Sequence, residues 1–577
     1  MQGWVAGYRR QTFRFDLAAG LTVAAMLVPQ AMAYALLAGL PPQVGLYAAT
    51  VPVLAYAVLG TSRQLAVGPV AIVSLLTAST LSQVADETNY VAVATLLAFL
   101  VGAVHLVLAV GRLGFLVNFL SHSVLVGFTG AAAIIIGFSQ VKHLLGISIE
   151  RKEHFYQTVL EVVNNIGATN LATLGLGGIA LVALFALKRV AKALPSALIV
   201  VAAAIAASEV FDLEGRGVKV VGEIPNDLPV PALPTFDVGL VGELLPTALV
   251  ITIVGFLESI AVAKVYARRH RYDVEVPNEL YGLGAANIAA GLFGGYPVTG
   301  GFSRTAVNDT AGARTPMASI ITAIGVGLAI VFLTPVLSQL PQAALGAIII
   351  AAVVGLFDIK EMRHIASVKP SDLISLSVAF FATLALGIEI GIGIAVVASM
   401  LVVFARMSRP HSAVLGKIAP GVYRNVNRYP DAETFSGVKM LRIDAALSFA
   451  NASFVKKLLR QEAADHQILV LDASGINDID ATGAATFEET LTELGESGID
   501  VFLADVKGPV RDVFDRAHLS DRLAGQMFAS IDAALQAARE VCENRGDDCN
   551  NLGTTPSSAV TLSGGNPLPP DLQTTRQ

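Results

Sequence analysis

Charged residues are scarce in this sequence. Asp, Glu, Lys and Arg make up 15% of the 577 residues, whereas soluble domains carry about a quarter. Hydrophobic residues make up 54%, and the mean hydropathy is +0.64. The deficit of charge ends near residue 408, and the rest of the chain has an ordinary composition. The composition therefore excludes a single soluble domain and predicts a membrane-embedded part followed by a soluble part.

Cysteine is almost absent, and so are the usual signs of catalysis. The two cysteines, Cys542 and Cys549, lack the spacing of a zinc site, and we expect both to be free in a flexible tail. No nucleophile–base pair, phosphate-binding loop or metal cluster is evident in the sequence, so we predict no enzyme, no metal and no cofactor. The net charge of −6 gives no sign of nucleic-acid binding.

Fourteen segments are candidate membrane-spanning helices, which need about 20 mainly apolar residues. Several are short or interrupted by Gly and Pro, and broken segments in membrane proteins usually line a site. Basic residues concentrate in the loops that are cytoplasmic if the N-terminus is inside, which places both termini in the cytoplasm. The segments are 16–38, 42–60, 67–83, 90–110, 121–141, 170–187, 194–210, 240–263, 279–293, 302–312, 317–336, 343–357, 371–388 and 390–406.

The soluble part has the pattern of an α/β domain. Short apolar runs at 441–443, 468–471 and 501–503 read as buried strands, and helical stretches alternate with them. The last residues are rich in Asn, Gly, Pro and Thr without periodicity, which is typical of disorder. We therefore divide the chain into a cytoplasmic N-terminal segment (1–15), a transmembrane domain (16–408), a linker (409–438), an α/β domain (439–541) and a disordered tail (542–577).

The two halves of the membrane part resemble each other. Thirteen residues separate Tyr47 from Gly60, and the same number separates Tyr281 from Gly294, each time before a second glycine-containing motif. An odd number of spans in each half gives the second copy the opposite polarity, which is the inverted repeat of secondary transporters. Chance similarity between Gly/Ala-rich helices is the alternative.

In each copy we then predict an extended segment that enters the membrane, followed by a helix that starts at mid-depth. These helices start near Pro69 and near Phe302. Inversion aims the two helix N-termini at each other. Each N-terminus carries unpaired N–H groups and a partial positive charge, so together they favour an anion. A cation site would need the opposite helix ends or acidic side chains.

Arg304 and Ser303 lie at the start of the second broken helix. A buried arginine is costly in lipid and marks a function, here bidentate contact with an oxyanion. The alternatives for Arg304 are a structural pair with Glu258 or with a backbone carbonyl. Ser303 offers a hydroxyl donor, but a serine at this position is also an ordinary helix cap.

Three further polar residues lie in apolar spans. Glu258 suits a proton carrier, neutral during coupled uptake and ionised when it pairs with Arg304; a permanent salt bridge is the alternative. Gln30 and Tyr34 lie one helical turn apart on one face, where an amide and a phenol can both donate to an anion. Helix–helix hydrogen bonding is the alternative for that pair.

These motifs resemble the sulfate permease (SulP) family of anion transporters, which in animals is solute carrier family 26. The most specific string is PQAMAY at 29–34, and the resemblance extends through 16–23, 40–47, 60–63, 67–71 and 294–308. It implies fourteen spans in a seven-plus-seven inverted repeat, a core domain that moves against a gate domain, and a homodimer. It also implies an anion between the two helix starts, in contact with Gln30, Tyr34, Val70, Ser303 and Arg304. Gly68, Gly301 and Phe302 flank those starts and complete the predicted site.

The string GGFSRTAVN at 300–308 resembles the proton-coupled sulfate carriers of plants and bacteria. Sodium-coupled bicarbonate members carry Asp where this chain has Glu258 and Thr where it has Val262, so the resemblance argues against a sodium site. The function that it implies is proton-coupled sulfate uptake across a cell inner or plasma membrane by alternating access. A bicarbonate or C4-dicarboxylate symporter, an uncoupled anion channel or exchanger, and a membrane-anchored signalling protein remain alternatives.

The soluble domain resembles the STAS domain that SulP carriers share with anti-sigma-factor antagonists. The strings LDAS at 471–474 and DATG at 480–483 carry this resemblance. In the antagonists a serine that matches Thr482 is phosphorylated, which makes Thr482 a possible phosphorylation site. Because a helix begins there, we expect Thr482 to cap it, and phosphorylation is the alternative.

Overall fold

The computed structural model describes residues 8–84, 89–112, 121–149, 155–190 and 196–545. The chain forms two compact units, Met1–Met400 and Leu401–Gln577. The first unit is helical and contains one two-stranded sheet, whereas the second contains a six-stranded sheet.

The first half of the helical unit ends with helix α10. Its elements are α1 (Arg10–Leu37), α2 (Pro42–Ala48), α3 (Val51–Leu59), β1 (Val67–Gly68), α4 (Ala71–Val84), α5 (Tyr90–Val110), α6 (His122–Ser139), α7 (Val141–Leu145), α8 (Phe155–Asn164), α9 (Leu171–Val190) and α10 (Ser196–Val210).

The second half begins with the longest helix, α11, and ends with α18, which enters the second unit. Its elements are α11 (Val238–His270), α12 (Val276–Leu292), β2 (Thr299–Gly300), α13 (Phe302–Thr310), α14 (Met317–Leu337), α15 (Gln342–Val353), α16 (Ile359–Val368), α17 (Pro370–Leu386) and α18 (Ile388–Ser408).

Each of the fourteen predicted segments contains a helix in the structure. By length and composition, seven helical stretches of the described chain can cross a membrane, and five shorter helices are also apolar. The prediction of a polytopic helical membrane domain is thereby confirmed. The number of fourteen crossings stays a prediction, because α13 has only 9 residues.

The two predicted helix breaks lie side by side. Strands β1 and β2 pair antiparallel, with Val67 opposite Gly300 and Gly68 opposite Thr299. Each strand leads directly into a helix, α4 or α13, so the chain enters both helices from one shared two-stranded sheet. Gly68 has a φ of +151°, a backbone conformation that side chains with a Cβ rarely adopt. The predicted meeting of two broken segments is therefore present.

Strand β2 is fastened to the middle of α11. The Thr299 hydroxyl donates to the Gly255 carbonyl at 2.6 Å, and the Gly300 N–H donates to Ser259 Oγ at 2.8 Å. Gly255 is needed for this approach, because a Cβ there would lie 3.0 Å from Thr299 Oγ1. These contacts place Glu258, on the same turn of α11, next to the start of α13.

A buried carboxylate on α12 fixes the loop that follows α3. Glu279 is fully buried, and its oxygens accept from Tyr56 Oη at 2.7 Å and from Thr61 N at 2.6 Å. Thr61 Oγ1 and Ser62 N also donate to the same carboxylate, at 2.5 and 2.9 Å. Four donors replace the water that this group loses, so it stabilises the junction between the two halves.

The second unit is an α/β domain, as predicted. Its sheet has the order β4-β3-β5-β6-β7-β8; β3 is antiparallel to its neighbours β4 and β5, and the remaining pairs are parallel. In register, Leu441, Leu471 and Leu503 lie side by side in the core. The elements are β3 (Ser412–Ala419), β4 (Val422–Asn425), β5 (Val438–Ile443), α19 (Ala452–Ala463), β6 (Ile468–Asp472), α20 (Ala481–Glu496), β7 (Asp500–Ala504), α21 (Gly508–Arg516), α22 (Leu519–Arg522), β8 (Met527–Phe528) and α23 (Ile531–Arg545).

Two predicted boundaries of this domain are wrong. The segment 409–438, predicted as a linker, contains the hairpin of β3 and β4, which extends the sheet. The predicted tail from 542 starts too early, because α23 continues to Arg545. Cys542 is 1% exposed, packs with Ile531 and Leu535 against the sheet, and is disulfide-bonded rather than free. Residues 546–577, with Cys549, lie outside the described chain.

Candidate functional site

A cavity of about 930 Å³ lies in the helical unit, bounded on one side by the two helix starts. It reaches along α1 from Tyr34 to Thr22 and Ala18, toward the end at which α1 begins. Helices α9, α10 and α15 also line it, through Leu184, Ser196 and the residues from Ile348 onward. The cavity therefore extends from the middle of the unit toward one face.

The structure brings nearly all of the predicted site residues to this cavity. The predicted site residues that line the cavity are Gln30, Tyr34, Val70, Glu258, Gly301, Phe302, Ser303 and Arg304. Gly68 lies behind them instead, where a Cβ would be 3.6 Å from Arg304 Nη2. That distance is an ordinary contact, so the φ of +151° is what favours glycine at this position.

Arg304 sits on the first turn of α13 and is 2% exposed. Its Nη1 donates to the Pro69 carbonyl oxygen at 2.6 Å, so the contact with a backbone carbonyl that was the alternative for Arg304 is present. Nε and Nη2 are buried, however, and have no hydrogen-bond partner within the described residues. A guanidinium has five N–H donors in one plane, and those that remain are suited to an oxyanion.

Two acceptors in the cavity are also unsatisfied. Glu258 Oε2 and Gln30 Oε1 are buried and lack hydrogen-bond partners in the part of the chain that the structure describes. Gln30 follows Pro29, which interrupts the hydrogen bonds of α1, and shares a face with the buried Tyr34. Buried polar atoms without partners are unfavourable. Their clustering at one cavity indicates that a polar solute, water or a proton completes the arrangement.

The start of α13 is open to the cavity. Its N-cap is Gly301, which has no side chain to accept from the first N–H groups. Ser303 is therefore not the cap, and it is exposed where it lines the cavity. Free N–H groups, the helix dipole and the Arg304 charge all favour a negative solute at this point. Glu258 is the one carboxylate among the described lining residues.

Tyr296 is a site-supporting residue that the sequence patterns did not single out. Its hydroxyl lies 2.7 Å from Ser74 Oγ, so it joins the segment before β2 to the first turn of α4. Asn287 holds the same segment, because its amide bonds both the N–H and the carbonyl of Val298 at 2.9 Å. The only available signal was the position of Tyr296 next to Pro297, at the predicted break.

Comparison with known proteins identifies the membrane domain and the soluble domain. The sequence model of the Sulfate permease family matches residues 13–379, more than half of the chain. The chain belongs to the sulfate permease family. A STAS domain matches residues 429–534, so the STAS prediction for the soluble unit is also confirmed.

The similar proteins cover almost the whole chain. It is 38% identical to "Sulfate transporter 4.1, chloroplastic" of Arabidopsis thaliana, over 96% of this chain and 84% of the relative. It is 36% identical to a probable sulfate transporter of Mycobacterium tuberculosis, over 93% and 98% of the two chains. The structure of the murine Solute Carrier 26 family member A9 anion transporter in the inward-facing state superposes with a TM-score of 0.86, at 25% identity and 93% coverage of both chains. This sulfate permease family member is therefore a multi-pass membrane anion transporter, not an enzyme.

Thr482 lies in the STAS domain of this family member, on the first turn of α20. The N-cap of α20 is Asp480, whose Oδ1 accepts from Gly483 N at 2.7 Å, so the capping role expected for Thr482 is wrong. The Thr482 side chain is exposed. Its role as a phosphorylation site stays a prediction.

Proposed function

We propose that this chain takes up sulfate together with protons by alternating access. Support for an oxyanion comes from the unpartnered Nε and Nη2 of Arg304 at the open start of α13, as far as the described chain shows. The relatives quoted above are named sulfate transporters, which favours sulfate among the oxyanions. Gln30, Tyr34, Val70, Ser303 and Arg304 contact the anion in this proposal.

Glu258 supplies the coupling. It lines the same cavity as Arg304, so its ionised form repels a dianion bound at the guanidinium. When Glu258 is protonated this repulsion disappears, and the neutral carboxyl can also donate a hydrogen bond. Sulfate and a proton therefore favour each other's binding. A passive channel gains nothing from such a group, which disfavours the uncoupled alternative.

The shape of the cavity supports alternating access. One wall comes from α1, α4, α11 and α13, which form the core domain in this proposal, and the other from α9, α10 and α15 of the gate domain. The cavity reaches the beginning of α1, which is the cytoplasmic side if both termini are cytoplasmic. The murine neighbour is described as inward-facing, and the same state fits this cavity. Movement of the core against the gate would then expose the site to the other side.

Sodium coupling and other substrates are the second candidates. Val262, buried on the next turn of α11 after Glu258, offers no side-chain oxygen to a cation. Bicarbonate and C4-dicarboxylates carry carboxylate-type oxygens that a guanidinium also binds, so they compete with sulfate in this proposal. We further propose a homodimer in an inner or plasma membrane.

The deciding experiment is uptake of labelled sulfate by the full chain in proteoliposomes. An inward proton gradient should accelerate uptake in the native protein, whereas a sodium gradient should not. Equal rates with and without the proton gradient would defeat proton coupling while leaving sulfate transport intact. Competition by unlabelled bicarbonate, fumarate, chloride and nitrate then ranks the anions, and stronger competition by one of them than by sulfate would replace the proposed substrate.

A further inference from the structure

A second cavity, of about 350 Å³, lies in the helical unit near the other ends of the helices that line the central cavity. On α9, Thr173 lines the second cavity and Leu184 the central one. The helical rise separates these two residues by about 16 Å along the axis. Helix α15 has the same order, with Gln342 at the second cavity and Ile348 at the central one. The second cavity is therefore on the side opposite to the one that the central cavity approaches.

Basic and neutral polar side chains line this second cavity. Lys142 and Lys219 bring ammonium groups, His143 an imidazole and Gln342 an amide. Lys219 Nζ donates to Ser148 Oγ at 2.7 Å, which holds the ammonium in place. Among the lining residues within the described ranges none is acidic. The cavity therefore presents donors and positive charge.

Thr173 gives independent evidence that a ligand is missing from this cavity. It is 3% exposed, and its Oγ1 has no hydrogen-bond partner within the described chain. A buried hydroxyl without a partner is unfavourable. Thr173 also belongs to the first turn of α9, a 20-residue helix whose N-terminal end carries a partial positive charge. Gly146 packs closely against this hydroxyl, because a Cβ there would lie 2.9 Å from Oγ1.

We propose that this second cavity binds a tetrahedral oxyanion between Lys142, Lys219 and the Thr173 hydroxyl. The ammonium groups supply charge, while Thr173 and the Gln342 amide donate hydrogen bonds to individual oxygens. The cavity volume is at the lower end of the range of about 300–1,000 Å³ that is usual for small-ligand pockets. Free sulfate or phosphate and the phosphate headgroup of an anionic lipid share this chemistry. The site goes beyond the central transport site and uses neither Arg304 nor Glu258.

Binding of labelled sulfate or phosphate to the full chain in phosphatidylcholine nanodiscs tests whether the second cavity takes up a free anion. In the Arg304→Ala variant, which lacks the central site, labelled sulfate or phosphate should still bind. Adding Lys142→Gln and Lys219→Gln should weaken this residual binding about tenfold or more, because two charge-assisted contacts are lost. Thr173→Val, of similar shape, should weaken it less. The paired control Lys360→Gln and Lys369→Gln, at exposed lysines elsewhere, should leave it unchanged.

Nanodiscs that contain phosphatidylglycerol test the lipid source. If the headgroup occupies the cavity, native mass spectrometry should find an anionic lipid retained by the native chain and lost from the double lysine variant. The proposal is wrong if Arg304→Ala binds neither sulfate nor phosphate in phosphatidylcholine and the double lysine variant also retains as much anionic lipid as the native chain. Uptake is not a readout here, so failure of proton coupling or of sulfate selectivity leaves this test unaffected.

Discussion

Arg304 Nη1 donates a hydrogen bond to the carbonyl oxygen of Pro69 at 2.6 Å and thereby joins the two broken segments at the cavity. Nε and Nη2 of the same side chain remain without partners among the described residues. One edge of the guanidinium is thus structural, and in the proposed function the other edge meets the anion. Lysine lacks this planar fork, so it cannot present donors on two separate edges in the same geometry.

Substitution of Arg304 should reduce sulfate uptake. Arg304→Ala removes both edges of the guanidinium, and we expect sulfate uptake to fall at least about 100-fold, since two charge-assisted hydrogen bonds are lost. Arg304→Lys keeps the charge but not the planar fork, so uptake should also fall strongly. The control Ser303→Ala removes one neutral donor and should cost only about tenfold. Initial uptake rates at matched protein levels measure these effects; unimpaired uptake by Arg304→Ala would contradict the site.

Gly301→Ala should weaken substrate binding without unfolding the protein. A Cβ at Gly301 would lie 2.8 Å from Arg304 Nη2, so the guanidinium must move away from the cavity. We expect a higher KM for sulfate. The free energy of unfolding should change by less than about 1 kcal/mol, because the displaced group is the end of a flexible side chain. Gly178→Ala on α9, where nothing in the described chain lies within 4 Å, is the matched control and should leave KM unchanged.

Glu258→Gln should remove the dependence of uptake on protons. The amide stays neutral, so it imitates the protonated carboxyl and cannot release a proton on the other side. We expect native uptake to rise as the external pH falls, because protonation of Glu258 removes its repulsion of the dianion. The variant should bind sulfate at all pH values but show no stimulation by a proton gradient. A variant that retains the full stimulation would assign coupling to another group.

Glu279→Ala should destabilise the membrane domain rather than alter its substrate preference. The change leaves four donors without their acceptor, from Tyr56, Thr61 and Ser62. We expect a loss of at least about 3 kcal/mol, since each buried unpaired donor costs about 1–3 kcal/mol. Thermal unfolding followed by size-exclusion chromatography measures the effect. Glu275→Ala, at an exposed position on the same helix end, should change stability by less than about 0.5 kcal/mol.

The STAS domain should lose local stability in acid where strand β5 ends beside the beginning of β3. Burial raises the pKa of Asp444, but hydrogen bonds from Arg442 Nε at 2.7 Å and from His411 at 2.9 Å outweigh this effect and lower it below its usual value. A lowered folded-state pKa contributes stability above the unfolded pKa, and this contribution is lost as the pH falls through the folded one. The protection factors of amides in β3 and β5 of the full chain, which correct for the intrinsic exchange rate at each pH, should therefore fall at acidic pH. Asp444→Asn should remove this acid-dependent difference.

Local sequence patterns predicted the centre of the site because breaks in membrane helices leave a local trace. Gly68 and Pro69 both disfavour the interior of a helix, and the Gly300-Gly301 pair precedes the second helix in the same way. Arg304 and Glu258 were conspicuous because charges are rare in apolar spans. The structure brings these residues to one cavity or directly behind it.

Long-range contacts and weak strands were not predictable in this way. The donors to Glu279 lie more than 200 positions earlier in the chain, and no local pattern pairs them. The hairpin of β3 and β4 contains many polar residues and no long apolar run, so it resembled a linker until its position at the sheet edge was known. Cys542 was misassigned because a polar neighbourhood concealed the helical spacing of Ile531, Leu535 and Cys542.

Strands β1 and β2 pair antiparallel, so each of the two copies of the repeat supplies part of the central cavity and its support. The first copy contributes Gly68, Pro69 and Val70, and the second contributes Gly301, Ser303 and Arg304. Neither copy alone forms the complete site. A half-length polypeptide with one copy could form this site only by dimerising with a second molecule inserted in the opposite orientation in the same bilayer. Fusion of the two copies in one chain fixes that opposed orientation permanently, and it makes the two halves inseparable partners in every transport cycle.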